Sequence, residues 1–387
     1  MNLKELENKT ILLLGKSRAF IGEEFDALMK YNKITVVKKV QDDVTLVVEG
    51  RMLTPYEQND MAEMYEAGGY EFISIDTLES VLAKEIDGDM LLMSLKLSHD
   101  KERLKSFIQN SKITDTLFFK LIKMYSWSNE DFFENDDNRD VSAAFIARFY
   151  ENIERNHNVQ YATTGFIHLV GQAKSSELLK AISELEPMQF HPKINAAIAM
   201  SPYIDEVMQE RLHKRKLEKI DEALSFNIRL KSSLLTLFLE DETLGSNVAK
   251  SIELTPEVFM KCKNFSDSLA LNETLTLEMQ KELLVQKSES VNFALAHNTS
   301  IEESVILELL EGASKEQLEV LYENAALPVK LLEEAYKEGV YHSSLAKNEA
   351  TPVDILYQLQ LDSRYERSVK TNAAFGKHIT SENIGWL

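Results

Sequence analysis

The tetrapeptide Leu-Ala-x-Asn occurs three times in the last third of this 387-residue chain, ending at Asn272, Asn298 and Asn348. Asn324 and Asn372 fall on the same grid, so successive asparagines stand 26, 26, 24 and 24 residues apart, each followed by an apolar, helix-compatible stretch. A period of this length predicts an array of short units, each able to bury its apolar face only against its neighbours. Leu and Ala ahead of the asparagine let a helix end pack closely. The asparagine itself tolerates left-handed backbone, and its side chain can satisfy loose main-chain groups. Thr255-Pro256, Leu327-Pro328 and Thr351-Pro352 are expected to put Pro at a first helical position, where its missing N–H costs nothing. Residues 195–202 and 248–256 read as degenerate copies, with Ser201 and Ser251 in place of the asparagine, so the array is expected to begin near residue 190 or before, within the helical region 85–190.

Residues 9–84 carry a different pattern. Residues 10–14 are a continuous apolar run closed by Gly15, as suits a buried parallel strand. A helix over 20–31, strands at 34–37 and 45–48, a helix over 55–67 followed by Gly68-Gly69, and a strand at 72–75 follow in order. Asp76 is expected to cap a last helix carrying Leu78, Val81 and Leu82. Beyond residue 88 the strand pattern gives way to helical stretches at 104–108, 116–125, 141–153, 165–170 and 178–185. Between them, residues 129–138 form the most polar break and the best candidate for an exposed loop.

The β-α-β-β-α-β-α order, with the Gly after the first strand and the segments Asp43-Val44-Thr45-Leu46-Val47-Val48-Glu49-Gly50 and Ala67-Gly68-Gly69-Tyr70-Glu71-Phe72-Ile73, resembles the BRCT domain. The asparagine-punctuated unit resembles the leucine-rich repeat variant, a right-handed helical solenoid, over residues 245–375. That family usually has Pro directly after the asparagine and Arg six residues before it. This chain has Glu273, Thr299, Ala325, Glu349 and Ala373 after, so a HEAT-like array is the alternative description. The fold expected is therefore α+β and multidomain: a BRCT-like α/β domain at 1–84, a helical region at 85–190, and a mostly all-α solenoid at 191–387.

Charge narrows the function. The chain carries 43 basic and 63 acidic residues, a net charge of -20, which repels phosphate backbones and disfavours nucleic acid. Residues 1–84 alone hold ten basic and fifteen acidic side chains. A single cysteine, Cys262, excludes an intramolecular disulfide and fits a reducing compartment. The 11–14 run is too short for a signal sequence and no stretch is long enough to span a bilayer, so a cytoplasmic location is expected.

Few motifs point to chemistry. Gly15-Lys16-Ser17 ends like a phosphate loop, but the glycine required five residues earlier is Thr10. The BRCT resemblance gives the same turn another role. In phosphopeptide-binding members a Ser or Thr after the first strand and a Lys opening the second helix hold the phosphate. Ser17 matches the first, while residues 54–59 contain no Lys, which leaves Lys16, Arg18 and Arg51 to supply charge. Lys16, Ser17 and Arg51 are thus the candidate phosphate or partner contacts. Arg211, Lys214, Arg215 and Lys216 form the one dense basic segment, a candidate contact patch without the interleaved aromatics that stack bases. Glu134, Asp136, Asn138 and Asp140 alternate like a calcium loop, yet its sixth position is Arg139 and its twelfth Phe145. No histidine spacing suggests zinc, and no nucleophile signature surrounds Cys262. The sequence therefore predicts a non-enzymatic adaptor without cofactor, binding protein partners with basic surfaces. The alternative is a replication or repair accessory factor.

Overall fold

The computed structural model describes residues 3–127, 135–150, 162–217 and 219–381. The chain divides into two compact units, Met1–Ile194 and Asn195–Leu387. No helix among the described residues is long and apolar enough to cross a membrane.

The first unit opens with strand β1 (Thr10–Leu14), helix α1 (Gly22–Tyr31), strands β2 (Thr35–Val37) and β3 (Val44–Glu49), helix α2 (Pro55–Ala67), strand β4 (Glu71–Ser74) and helix α3 (Ile75–Lys84). This is the element order read from the sequence. The strands form one parallel sheet in the order β2-β1-β3-β4. Ile11, Leu12, Val47 and Val48 are fully buried, which is why β1 and β3 are unbroken apolar runs rather than alternating ones. Helix α2 begins on a reciprocal cap in which Thr54 and Glu57 each bond the other's main chain. Helix α3 is capped by Ser74, not Asp76: the Ser74 hydroxyl accepts from the Thr77 amide, and Asp76 falls inside the first turn. Strand β4 ends earlier than expected, so Ile75 belongs to the helix.

Among the described residues of this unit, α-helices follow at Gly88–Ser98, Lys101–Gln109, Asp115–Ile122, Asp136–Phe149, Ala162–Gln172 and Ser176–Glu184. The Arg103 guanidinium grips Glu24 of α1 through two bonds of 2.9 and 3.0 Å, tying these helices to the sheet. The polar break expected over 129–138 is helical at its end. Residues 129–134 lie outside the described residues, while Asn135 caps the next helix by accepting from the Asn138 amide, and Asp136, Asp137 and Asn138 are helical. Acidic residues suit a helix's first turn, so a run that resembles a loop in sequence is here a helix start.

The second unit is all helical among its described residues and compatible with a repeat. Helices Ile220–Ser225, Glu242–Ser251, Ser266–Ala270, Glu289–His297, Lys315–Glu323, His342–Lys347 and Glu366–Thr371 lie in a row, each packed against the next. A second helix intervenes in the chain between successive members of the row, among them Pro256–Cys262, Leu277–Leu284, Glu303–Leu310, Val329–Glu338 and Val353–Gln360. Pro256 occupies a first helical position as predicted. Pro328 and Pro352 stand one residue earlier, in extended backbone, where a fixed φ is equally compatible.

The asparagines close the row. Asn298 donates to the carbonyls of Ala270 and Asn272, Asn324 to those of Ala296 and Asn298, Asn348 to those of Tyr322 and Asn324, and Asn372 to those of Ala346 and Asn348. Each amide thus reaches back to the preceding asparagine's own carbonyl, 24 or 26 residues earlier. Asn272 reaches Ala249 and Ile252 in the same way. The backbone at these positions is extended, with φ near -70° and ψ near 120° at Asn298 and Asn372, not left-handed as expected. The side chain, rather than an unusual backbone, makes the link.

Candidate functional site

The turn after β1 brings together the residues singled out from the sequence. Gly15 has φ +78°, and a Cβ there would lie 2.6 Å from the Arg51 carbonyl, so only glycine lets the two loops meet. Lys16 and Arg51 pair through both main-chain groups at 2.8 Å. Ser17 turns away from them. Its hydroxyl donates to Glu79 Oε1 at 2.7 Å, and the amides of Arg18 and Ala19 donate to the same oxygen at 2.7 and 2.9 Å. Glu79 is wholly buried, and its Oε2 takes no hydrogen bond among the described residues. Arg51 in turn bonds Asp76 at 2.5 Å, and Lys112 lies 3.5 Å from the same carboxylate. Burial pushes Asp76 up, but Arg51 and Lys112 outweigh it and hold the carboxyl below its ordinary range. Helix α3 therefore supplies an internal carboxyl acceptor to Ser17 and a second carboxyl to Arg51. A phosphate on this turn would have to displace Glu79.

The basic segment is split by the fold. Arg211 and Lys214 are exposed on helix Glu206–Lys214, and Lys216 is exposed after it. Arg215 instead reaches inward to Oδ1 of the buried Asn195 at 2.6 Å. Lys214 lies 3.7 Å from Glu210, and His213 pairs with Asp221 at 2.7 Å. The four residues do not form one cationic surface.

Asn272, Asn298, Asn324, Asn348 and Asn372 are buried and engaged with main chain, so they build the unit rather than present a site. Sequence reading missed a sixth member. Asn227 donates to the carbonyls of Ala199 and Ser201, and accepts from the Arg229 amide. Its signal was present as Leu224-Ser225-Phe226-Asn227, with Ser in place of Ala. The same bonds place Ser201 at a ladder position, whereas the rung expected at Ser251 falls on Ile252.

Exposed residues stand five positions before each ladder asparagine: Asp267, Phe293, Glu319, Ser343 and Arg367. Along the middle of this stripe lie two adjoining hollows of about 690 Å³ each, which share Phe293 and Glu316. One extends over Glu319, Val320, Tyr341 and Tyr365, the other over Glu289 and Ser290. Tyr341 stacks on Tyr322 with ring centres 4.3 Å apart and holds left-handed backbone, φ +54°, a strained conformation for a bulky residue. Lys347 is neutralised by Glu323 at 3.0 Å. Glu289, Glu316 and Glu319 have no ion pair among the described residues.

Among the described residues no group of three or more His, Cys, Asp or Glu side chains is arranged to hold a metal ion. Cys262 is buried, which pushes its thiol up to about 11 and away from the nucleophilic thiolate form. No family model matches the chain, no curated protein is significantly similar to it, and no solved structure matches its fold.

Proposed function

We propose that this protein is a non-enzymatic adaptor whose second unit is a helical solenoid that binds protein partners along its asparagine-ending helices. A BRCT-like domain at the N-terminus provides a second contact surface. The observation that carries this reading is the asparagine ladder. It joins each unit to its neighbour through main-chain bonds and leaves one side chain per unit exposed in register, the arrangement by which repeat arrays present an extended binding face. The BRCT-like part contributes shape and charge rather than a phosphate pocket, because Glu79 already occupies the donors of the Ser17 turn.

The reading is tested by affinity purification of the tagged protein with partners identified by mass spectrometry, beside a form carrying Phe293→Ala and Glu319→Lys. A defined protein partner that is lost from the double variant supports it. Recovery of nucleic acid alone, released by altering Arg211, Lys214 and Lys216, would instead establish the replication and repair alternative. That alternative already lacks Arg215, which is spent on Asn195.

A further inference from the structure

The two hollows over helices Glu289–His297, Lys315–Glu323 and His342–Lys347 form one groove with a mixed lining. Its apolar part is Phe293, Val320, Tyr341 and Tyr365, and Phe293 keeps 38% of its surface open to solvent. Its rim carries Glu289, Glu316 and Glu319, none of which forms an ion pair among the described residues, although Glu316 accepts from the Ser314 hydroxyl at 3.4 Å; of the lysines lining it, Lys315 has no ion pair among those residues. Aromatic faces beside carboxylates that have no cationic partner attract ammonium and guanidinium groups twice over, through the ring quadrupole and through charge. The methylene stems of Lys and Arg, and any aliphatic residue between them, can cover the aromatic floor. His342 also lines the groove, its ring packed beside those of Tyr336 and Tyr365, 5.4 and 5.7 Å away.

We infer that this groove is the recognition site for a basic peptide segment in which Lys or Arg alternates with aliphatic residues, an inference that rests on the adaptor reading and specifies its partner. The net charge of -20 steers such a segment toward the protein, and the aromatic floor selects it over a purely hydrophilic polycation.

The test is fluorescence anisotropy with the full chain and a fluorescein-labelled peptide repeating Lys-Leu-Arg-Ala, beside a Lys-Gly-Arg-Ser repeat of equal charge and an acidic Glu-Leu-Asp-Ala repeat. The first peptide is expected to bind at least about tenfold more tightly than either of the others. Glu316→Lys with Glu319→Lys should weaken it by about tenfold or more, and Phe293→Ala alone by about fivefold. Glu333→Lys with Glu338→Lys, an equal charge change on exposed residues of helix Val329–Glu338, should alter it less than about twofold. Equal losses from both charge reversals would show diffuse attraction and overturn the site, as would equal binding of the two basic peptides or preference for the acidic one. A protein partner recovered with the whole chain that is lost on Phe293→Ala, yet is not displaced by the basic peptide, would overturn the partner chemistry while leaving the adaptor reading in place.

Discussion

One ladder asparagine satisfies three main-chain groups. Asn348 donates to the carbonyls of Tyr322 and Asn324 at 2.9 and 2.7 Å and accepts from the Ala350 amide at 2.7 Å, all with its side chain wholly buried. Both ends of the amide are needed, so the isosteric change Asn348→Asp is more damaging than its size suggests. It removes two donors, sets a carboxylate against two carbonyl oxygens, and should cost about 3 kcal/mol in urea unfolding at neutral pH. The introduced carboxyl would have its folded-state pKa raised above the unfolded value. Part of the loss should therefore be recovered as the pH falls through that raised value, whereas Asn348→Ala should show no such recovery. The requirement for both donor and acceptor explains why the asparagines were legible as a spacing. Ser201 keeps only the accepting half of the pattern: its hydroxyl accepts from the Tyr203 amide at 3.4 Å and its carbonyl accepts from Asn227.

At the scale of elements, the sheet was legible because a parallel strand buried on both faces must be an apolar run, and residues 10–14 and 44–49 can satisfy few other roles. Glu79 was not read, although its place gave a signal: it shares the buried stripe of α3 with Ile75, Leu78, Leu82 and Ala83. An acid on an apolar stripe must find donors, and the turn at Ser17, Arg18 and Ala19 provides three. Glu79→Ala should strand those donors and lower thermal stability by about 2 kcal/mol, while Glu79→Gln, which keeps the accepting oxygen, should lose less than about 1 kcal/mol. Equal losses from the two would mean that the charge, not the acceptor, fixes the turn. The groove was illegible for the opposite reason. It lies on the middle of the stripe Asp267, Phe293, Glu319, Ser343 and Arg367, which varies in type from unit to unit, and only the registration supplied by the ladder shows that these positions align.

Across the whole molecule, the sheet-bearing unit and the asparagine unit follow different rules of assembly. In the first, long-range ties such as Arg103 to Glu24 join residues 79 positions apart. In the second, the ladder bonds span little more than one repeat. Nearest-neighbour assembly predicts that a chain ending at residue 352 keeps the helical circular dichroism of its remaining units and melts only about 5 °C lower. Collapse of the helical signal on this truncation would mean that the array folds as one long-range cooperative body.

The acceptors in the ladder are carbonyls, and every residue type carries one. A unit that keeps its asparagine and its buried Leu-Ala pair can therefore be duplicated, deleted or exchanged without a matching change in the exposed side chains next door. Such a row can lengthen by gene duplication and diversify its exposed positions freely, because its joints are indifferent to what its faces have become.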